Sequence, residues 1–300
     1  MLPPIVHHPD YDACFADGHR FPMRKYARLM EVLCERRLVD ESSLHRPGLP
    51  ADEMLALAHD ADYVAQVVSS TVPPAIEREI GFPVDDRVSR RARLATSGTM
   101  LAARLALEHG VACNTAGGSH HARRSQGAGF CTFNDVAVAA NALLAERLVE
   151  HILVVDLDVH QGDGTAEMLE GERRVFTFSM HAANNYPVRK ARSGLDIALP
   201  DGMADQAYLE RLAEVLPALE GHVRPDIVFY NAGVDPHADD RLGRLALTDE
   251  GLRRRDEAVI GHFRRLGVAV CGVIGGGYDR DIDALAARHA ILFETAAAFG

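Results

Sequence analysis

The stretch Asp156-Leu157-Asp158-Val159-His160-Gln161-Gly162-Asp163-Gly164 decides how this chain folds and what it can do. It follows the apolar run 152–155, Ile-Leu-Val-Val, which predicts a buried β-strand. In an open α/β sheet, ligands bind at the carboxyl ends of the strands. Asp158 and His160 are two residues apart, so on a continuing strand they point the same way and can hold one metal ion. The stretch therefore predicts a metal-dependent enzyme.

Short apolar segments alternate with longer amphipathic segments along the 300 residues. Strands are predicted at 4–7, 111–115, 152–157, 175–180, 227–232 and 268–274. Helices are predicted at 23–35, 61–70, 86–109, 135–148, 204–219 and 248–266. This alternation predicts an α/β fold of three αβα layers, in which helices cover both faces of a central, mainly parallel sheet. No linker or repeat interrupts the pattern, so we expect a single domain over residues 1–300.

Polar side chains follow most of the predicted strands at the point where each strand ends. The strand ends lead into Gly117-Gly-Ser-His120-His121, Ser179-Met180-His181, Asn231-Ala-Gly-Val-Asp235 and Gly275-Gly-Gly-Tyr278, besides the opening stretch. Because the carboxyl ends of parallel strands meet at one edge of a sheet, we expect these groups to lie close together. A single such residue is usually a surface residue, but repeated placement at one edge favours a functional site.

Asp158, His160 and Asp235 form the predicted metal site. Two carboxylates and a neutral imidazole offset the charge of a divalent ion and leave coordination positions open for water and substrate. Zinc or iron(II) suits this mixed donor set, and the sequence does not separate them. The alternative is that both aspartates cap helices and that His160 lies in a loop without a ligand.

The tandem histidines His120 and His121 are the predicted acid–base groups. A histidine can take a proton from water and return it to a leaving amine near neutral pH. Asp156 and Asp163 are available to orient the two imidazoles. Tyr278, after three glycines, can donate a hydrogen bond to a developing oxyanion. The alternatives are a pair of surface histidines and a tyrosine that packs at a strand end.

Aromatic residues near these segments predict the walls of a substrate pocket. Phe130, after Gly129, and Tyr186 could flank the apolar stem of a long side chain, and Gly276 would let the backbone approach the ligand. We therefore expect a pocket lined by Gly129, Phe130, Tyr186 and Gly276. Packing in the core is the alternative for both aromatic residues.

The overall charge argues against a nucleic-acid partner. The chain carries 43 acidic and 32 basic residues, for a net charge of -11, and shows no basic stripe. The arginine-rich segments 87–93 and 253–255 fall in helical patterns and are interpreted as solvated faces. The acidity is compatible with a cationic substrate, but solubility is the favoured explanation.

The cysteine pattern and the apolar segments bear on the compartment. The five cysteines include no CxxC pair, so neither a disulfide scaffold nor a zinc ribbon is predicted. The first residues lack the pattern of a signal peptide, and no apolar stretch approaches the length of a membrane span. A cytoplasmic protein without a membrane span is expected.

Taken together, these segments resemble the zinc-dependent histone deacetylase family, which has the arginase–deacetylase fold. Gln161 after His160, and the segment 240–243, look more like the class IV branch and its bacterial relatives. The resemblance runs from residue 18 to residue 278. Its matching pieces are Gly18-His19-Arg-Phe-Pro-Met-Arg-Lys-Tyr26, Gly117-Gly-Ser-His-His121, Gly127-Ala-Gly-Phe-Cys131, the opening stretch, Asn231-Ala-Gly-Val-Asp235, Asp240-Arg-Leu-Gly-Arg-Leu245 and Gly275-Gly-Gly-Tyr278.

The resemblance implies a role for each matching residue. Zinc would be bound by the Asp158, His160 and Asp235 set. His121, paired with Asp163, would be the general base and acid, and His120, paired with Asp156, would tune the site. Tyr278 would polarise the amide carbonyl. A structural potassium ion is implied near side chains and carbonyls of Asp156, Asp158, His160, Ser179 and Met180.

The implied activity is zinc-dependent hydrolysis of N-ε-acyl-lysine in proteins or peptides. The acyl group can be acetyl or, as in class IV relatives, a long fatty-acyl chain. The nearest alternative is an amidohydrolase for acetylpolyamines or another small acylated amine. Arginase-like ureohydrolysis would need a second metal ion, against which the tandem histidines argue. A non-catalytic acyl-lysine-binding module is the alternative from another class.

Overall fold

Eight parallel strands form one sheet in the computed structural model, which describes residues 2–16 and 18–300. Residues 1 and 17, which fall within the predicted domain 1–300, lie outside the described residues. The order across the sheet is β2-β1-β3-β8-β7-β4-β5-β6, and every ladder in it is parallel. The strands are β1 (Ile5–Val6), β2 (Leu44–His45), β3 (Val111–Asn114), β4 (Ile152–Asp156), β5 (Val175–Ala182), β6 (Leu195–Leu199), β7 (Ile227–Asn231) and β8 (Ala269–Val273).

Helices cover both faces of the sheet. They are α1 (Lys25–Glu35), α2 (Asp52–Leu55), α3 (Ala61–Val68), α4 (Pro74–Ile80), α5 (Asp86–His109), α6 (Asp135–Ala145), α7 (Asp163–Met168), α8 (Asp205–Val223), α9 (Asp249–Arg265) and α10 (Ile282–Phe299). On one face α5 packs against α6, and on the other α10 lies between α1 and α9, with α8 beside α9. Side chains cap two of these helices: Asn134 accepts a hydrogen bond from Ala137 N, and Thr248 accepts one from Gly251 N.

The sheet separates two hydrophobic cores, because successive residues of a strand point to opposite faces. In β4, Ile152 and Val154 pack in the core that contains α6, whereas Leu153 and Val155 pack in the core of α8 to α10. All four side chains are buried. This double burial explains why the central strands are continuous apolar runs rather than alternating ones.

The predicted three-layer α/β fold is confirmed, and the sheet is more regular than predicted because no antiparallel ladder joins the named strands. The sequence pattern did not predict the two edge strands, β2 and β6, or the helices α2, α4, α7 and α10. Strand β2 has only two residues, and α10 is apolar on most of its surface, so its periodicity is weak. The assignment of residues 1–300 to a single domain stays a prediction.

One local expectation about the opening stretch is wrong. Strand β4 ends at Asp156, so Asp158 and His160 lie in the loop before α7 and not on a continuing strand. Asp163 is the first residue of α7. The conformation of this loop at the carboxyl edge of the sheet, and not the alternation of a β-strand, therefore sets the direction of these side chains.

Two further sequence expectations can be compared with the described residues. All five cysteines are free, and Cys113, Cys131 and Cys271 are buried. Among residues 2–16 and 18–300, no helix is both long enough and apolar enough to cross a membrane.

Candidate active site

The three predicted metal ligands converge at the carboxyl edge of the sheet. His160 Nδ1 lies 3.0 Å from Asp158 Oδ1 and 3.1 Å from Asp235 Oδ2. All three residues are buried, and their ligand atoms lie within 4.8 Å of one another. Ligand atoms placed ~2 Å from a tetrahedral ion are ~3.3 Å apart. The spacing and the chemistry of this donor set therefore fit one divalent ion.

Neighbouring strands bring these ligands together. Strand β7 pairs with β4, so the loop that carries Asp235 lies beside the loop that carries Asp158. Val159 N donates to Asp235 Oδ1 at 2.8 Å, and Gly276 N donates to Asp158 Oδ2 at 2.7 Å. A β-carbon at position 276 would collide with the Asp235 carboxylate. Glycine is therefore required there for the loop after β8 to approach the ligands this closely.

Burial makes it unfavourable for the carboxylates of Asp158 and Asp235 to be ionised at the same time. Burial and the like charge of Asp158 raise the pKa of Asp235 to about 7. Burial opposes a charged imidazole at His160, but Asp158 and Asp235 outweigh it and raise the pKa of His160 to about 10. Two carboxylates this close in a desolvated site favour a bound cation, which would neutralise both.

The tandem histidines each bond to one of the predicted aspartates. His120 Nδ1 lies 2.7 Å from Asp156 Oδ2, and Asn231 Nδ2 donates to Asp156 Oδ1 at 3.0 Å. Burial alone would lower the pKa of His120, but the carboxylates of Asp156 and Asp158 raise it to about 9. His120 is thus held as a cation facing two carboxylates.

His121 has the opposite electrostatic setting. Its Nδ1 lies 2.6 Å from Asp163 Oδ1, and Asp163 Oδ2 also accepts a hydrogen bond from Arg123 at 2.8 Å. Burial and the neighbouring charge of His120 lower the pKa of His121 to about 4, despite Asp163. His121 is therefore neutral near pH 7, and with Nδ1 engaged its Nε2 is the atom available to accept a proton.

A pocket of about 370 Å³ connects these groups to the surface. Among its lining residues are His121, Gly129, Phe130, Tyr186 and Tyr278. The Tyr186 ring lies edge-on to His121 with ring centroids 4.8 Å apart. The Phe130 ring lies 5.7 Å from that of Tyr278. The predicted aromatic residues therefore lie at the site and not in a remote part of the core.

Gly276 occupies a different place from the other three predicted pocket residues. It lines a smaller cavity of about 20 Å³ behind the site, together with His120, Asp158 and Tyr278. Gly129, which lines both cavities, has a φ of 53°, and a β-carbon there would press against the His121 ring. A larger residue at this position would displace the predicted base.

The residues expected around a structural monovalent cation are also close together. Asp156 lies opposite Ser179 in the register of β4 and β5. Met180 follows in β5 and is buried. The Ser179 hydroxyl lies 2.9 Å from His181 Nδ1.

Lys25 is a buried cation at the site that the sequence analysis did not select. Its ammonium group donates to the carbonyl of Gly275 at 3.1 Å and to that of Gly277 at 3.4 Å. Burial lowers the pKa of Lys25 to about 8. Lys25 thereby anchors the glycine turn that presents Tyr278. The segment 18–26 that contains Lys25 could be recognised in the sequence, but no local pattern predicts its contact with Gly275, 250 positions away.

Arg255 corrects the interpretation of segment 253–255 as a solvated face. Its side chain is fully buried and donates to the carbonyls of Gly233 at 2.5 Å and Leu157 at 3.4 Å. Asp256 is its carboxylate partner at 2.8 Å. Arg255 therefore ties together the loops that carry Asp158 and Asp235. Arg91, in the other arginine-rich segment, is buried as well.

Residues 19–293 match the family model described as the histone deacetylase domain. This chain belongs to the histone deacetylase family. A protein from Picosynechococcus with no assigned function is 47% identical over 98% of both chains. Histone deacetylase 2 of Arabidopsis thaliana is 29% identical over 91% of this chain and 74% of its own length. A probable deacetylase of Methanothermobacter thermautotrophicus is 29% identical over 92% of this chain and 85% of its own.

A solved structure supports the fold of this histone deacetylase family member. The crystal structure of the HDA15 HD domain superposes with a TM-score of 0.83, covering 99% of this chain and 89% of that one at 21% identity. The chain therefore has the arginase–deacetylase fold and is a hydrolase of the histone deacetylase family. The family resemblance drawn from the sequence is confirmed. The roles of the individual site residues and the likeness to the class IV branch stay predictions.

Proposed function

We propose that this protein hydrolyses N-ε-acyl-lysine in proteins or peptides with the help of one bound zinc ion. The observation that carries the proposal is a single pocket in which His121, His160 and Tyr278 line the wall. Asp158 and Asp235 lie directly behind His160. A base, a metal donor set and a hydrogen-bond donor thus face one space. A cytoplasmic location fits this activity and is part of the proposal.

Asp158, His160 and Asp235 would hold the zinc, although the same donor set also suits iron(II). The bound ion would supply Lewis acidity toward the amide carbonyl and the attacking water. We include a structural potassium ion near Asp156 and Ser179 in the proposal, on the family resemblance and on their pairing in the sheet. Its proposed role is to fix the carboxyl ends of β4 and β5.

The proton transfers are assigned to His121. Its depressed pKa of about 4 keeps Nε2 free to take a proton from water, while Asp163 orients the ring through Nδ1. The resulting imidazolium is stabilised by Asp163, whose pKa is held low by His121 and Arg123 even though burial opposes this. His121 then returns the proton to the departing lysine amine, so that a neutral base is regenerated.

Tyr278 and His120 complete the proposed machinery. Burial and the nearby Asp158 raise the pKa of Tyr278 well above its ordinary value, so the phenol keeps its proton and can donate it as a hydrogen bond to the oxyanion. Burial opposes protonation of His120, but Asp156 and Asp158 outweigh it and raise the pKa of His120 to about 9, and a protonated His120 would add positive charge near the reacting carbonyl. Both groups favour the charge that develops in the transition state.

Features of the same site bear on the alternative functions. Among residues 2–16 and 18–300, one group alone has ligand atoms arranged for a metal ion, which argues against a two-metal ureohydrolase. The presence of a neutral base next to this group argues against a purely binding module.

The test is to assay the zinc-loaded protein on an acetyl-lysine peptide beside the His121→Ala variant. We expect turnover in the wild type and a loss of ~10²–10⁴-fold in the variant, since that is the range supplied by a positioned acid–base group. His151→Ala, an exposed histidine before β4, is the control and should retain full activity. Near-unchanged turnover in His121→Ala would contradict the assignment.

A further inference from the structure

Four exposed arginines lie in a cavity beside the active-site pocket. Arg20, Arg24, Arg241 and Arg280 line a cavity of about 530 Å³ beside it. Arg20 also lines the 370 Å³ pocket that contains His121, so the two spaces share a wall. We call these four arginines the arginine rim. Its position places four cations where the residues that flank an acyl-lysine in a substrate would lie.

The rim is attached directly to the walls of the site. The guanidinium carbon of Arg20 lies 5.8 Å from the centroid of the Phe130 ring. Arg241 precedes Leu242, which lines the pocket, and Arg280 follows Tyr278 by two residues. A substrate that places its lysine between Phe130 and Tyr278 therefore passes Arg20, and the other three arginines line the adjoining cavity.

None of the four arginines of the rim forms an ion pair within the described part of the chain. No Asp or Glu among residues 2–16 and 18–300 lies within 4.0 Å of a charged nitrogen of the four arginines. Asp279 lines the same cavity, but its carboxylate binds Arg288 at 2.5 Å. Among the described residues that line this cavity, four are arginines and one, Asp279, is a carboxylate.

We propose that the arginine rim selects acyl-lysine substrates whose neighbouring residues are acidic, an inference that rests on the proposed function. Exposed guanidinium groups attract carboxylates and steer their approach, and several weak contacts add up when they act on one peptide. A polycationic substrate meets like charge at the same place. The rim therefore disfavours acetylpolyamines and basic tails as substrates.

The first experiment compares three peptides with one acetyl-lysine and flanks of Asp and Glu, of Gly and Ser, or of Lys and Arg. With the zinc-loaded full chain at low ionic strength, we expect kcat/KM to be about tenfold higher for acidic than for basic flanks. The difference should appear in KM and shrink with added salt, because salt screens exposed charges. Equal values, or a preference for basic flanks, would overturn the inference.

The outcomes of this experiment separate the two proposals. If the neutral peptide is hydrolysed and the flanks make no difference, the proposed function stands and the role of the rim fails. If none of the three peptides is hydrolysed, the proposed function fails and the role of the rim fails with it.

Charge reversal gives the second test. The Arg24→Glu/Arg280→Glu double variant should abolish the preference between acidic and basic flanks, because two carboxylates then offset the two remaining arginines of the rim. Arg173→Glu is the matched control, since Arg173 is exposed and lies before β5 at the opposite edge of the sheet. It should keep the wild-type ratio. A double variant that lowers all three peptides by the same factor would indicate a structural role and refute selection. Arg241→Glu repeats the test if the double variant does not fold.

Discussion

Two histidine–aspartate pairs lie side by side in this protein and are held in opposite protonation states. The bonds are almost identical, at 2.7 Å for His120 with Asp156 and 2.6 Å for His121 with Asp163. The two imidazole centroids are 4.1 Å apart. Yet the pKa of His120 is raised to about 9 and that of His121 is lowered to about 4.

The difference between the two pKa values comes from the other charged groups that lie beside each pair. His120 also faces Asp158, with its Nε2 3.7 Å from that carboxylate. His121 faces the charge of His120, and its partner Asp163 is shared with Arg123. Residue type and bond length are therefore a poor guide to protonation in a desolvated site, where the sum of nearby charges decides.

Breaking the His121 pair should have the largest effect. In Asp163→Asn, the amide no longer fixes the proton on Nδ1, so the ring can adopt the wrong tautomer or orientation for accepting a proton at Nε2. We expect a loss of ~10³–10⁴-fold in kcat on the acetyl-lysine peptide, by the logic of an oriented histidine base. Glu167→Gln, which alters the other carboxylate near Arg123, is the control and should remain near wild type. Full activity in Asp163→Asn would show that His121 does not need this partner.

Removing the Tyr278 hydroxyl tests whether the charge at His120 suffices to stabilise the oxyanion. We expect Tyr278→Phe to lower kcat by ~10²–10³-fold, as for the loss of other oxyanion donors. Tyr186→Phe removes a hydroxyl from the same pocket and should have little effect. Retained activity in Tyr278→Phe would assign the oxyanion to other groups. Steady-state kinetics on the neutral-flank peptide is the measurement.

The pKa difference between His120 and His121 depends on the charge of Asp158. A substitution of Arg255 tests whether this arginine holds the Asp158 loop in place. Arg255→Lys retains the charge but loses the planar guanidinium group that donates to carbonyls in both loops, the one with Asp158 and the one with Asp235. We expect zinc affinity to fall by about 10–100-fold, as for other groups that orient metal ligands. Arg254→Lys, its exposed neighbour, should bind zinc normally. Competition with a chromophoric chelator measures both, and equal affinities would contradict this positioning role.

The pKa of His59 is shifted mainly by burial. We expect substitution of His59 to change the stability of the protein and not its activity. Burial lowers the pKa of His59 to about 4, and its neutral Nε2 accepts a hydrogen bond from Asn134 N at 2.9 Å. The unfolded chain, with a histidine pKa near 6.5, therefore binds more protons between pH 6.5 and 4. The free energy of unfolding is at its full value above this window and falls as the pH falls through it, by about 3 kcal/mol for this residue.

Urea unfolding at pH 7, 6 and 5 measures this dependence. We expect the His59→Gln variant to lose less stability than the wild type across that series, since glutamine does not titrate. His151→Gln, at an exposed position, should follow the wild type. Parallel pH dependences in wild type and His59→Gln would show that His59 is not buried in its neutral form.

The candidate site could be predicted from the ends of the strands. Asp158, His160, Asp235 and Tyr278 follow β4, β7 and β8, which are adjacent in the sheet. Parallel strands bring their carboxyl ends to one edge, so residues distant in sequence meet there whatever the loops do in detail. These side chains meet at this edge even though Asp158 and His160 lie in a loop and not on a continuing strand.

The buried cations could not be predicted in this way. Lys25 and Arg255 lie on amphipathic helices, where a charged residue is ordinarily solvated. Each is instead buried because backbone carbonyls from distant loops accept its hydrogen bonds. Likewise, the net charge of -11 gave no sign of the arginine rim, since a sum over the chain says nothing about where the charges lie.

The sequence by itself determined the α/β class, the family and the set of polar groups at the edge of the sheet. These follow from apolar runs and from the residues directly after them, which are local properties of the chain. Only the tertiary structure decided which histidine is charged, which arginines are buried and which lie beside the pocket. Protonation and solvation depend on every charge and every desolvating atom nearby, and those are brought together by folding from segments far apart in the sequence.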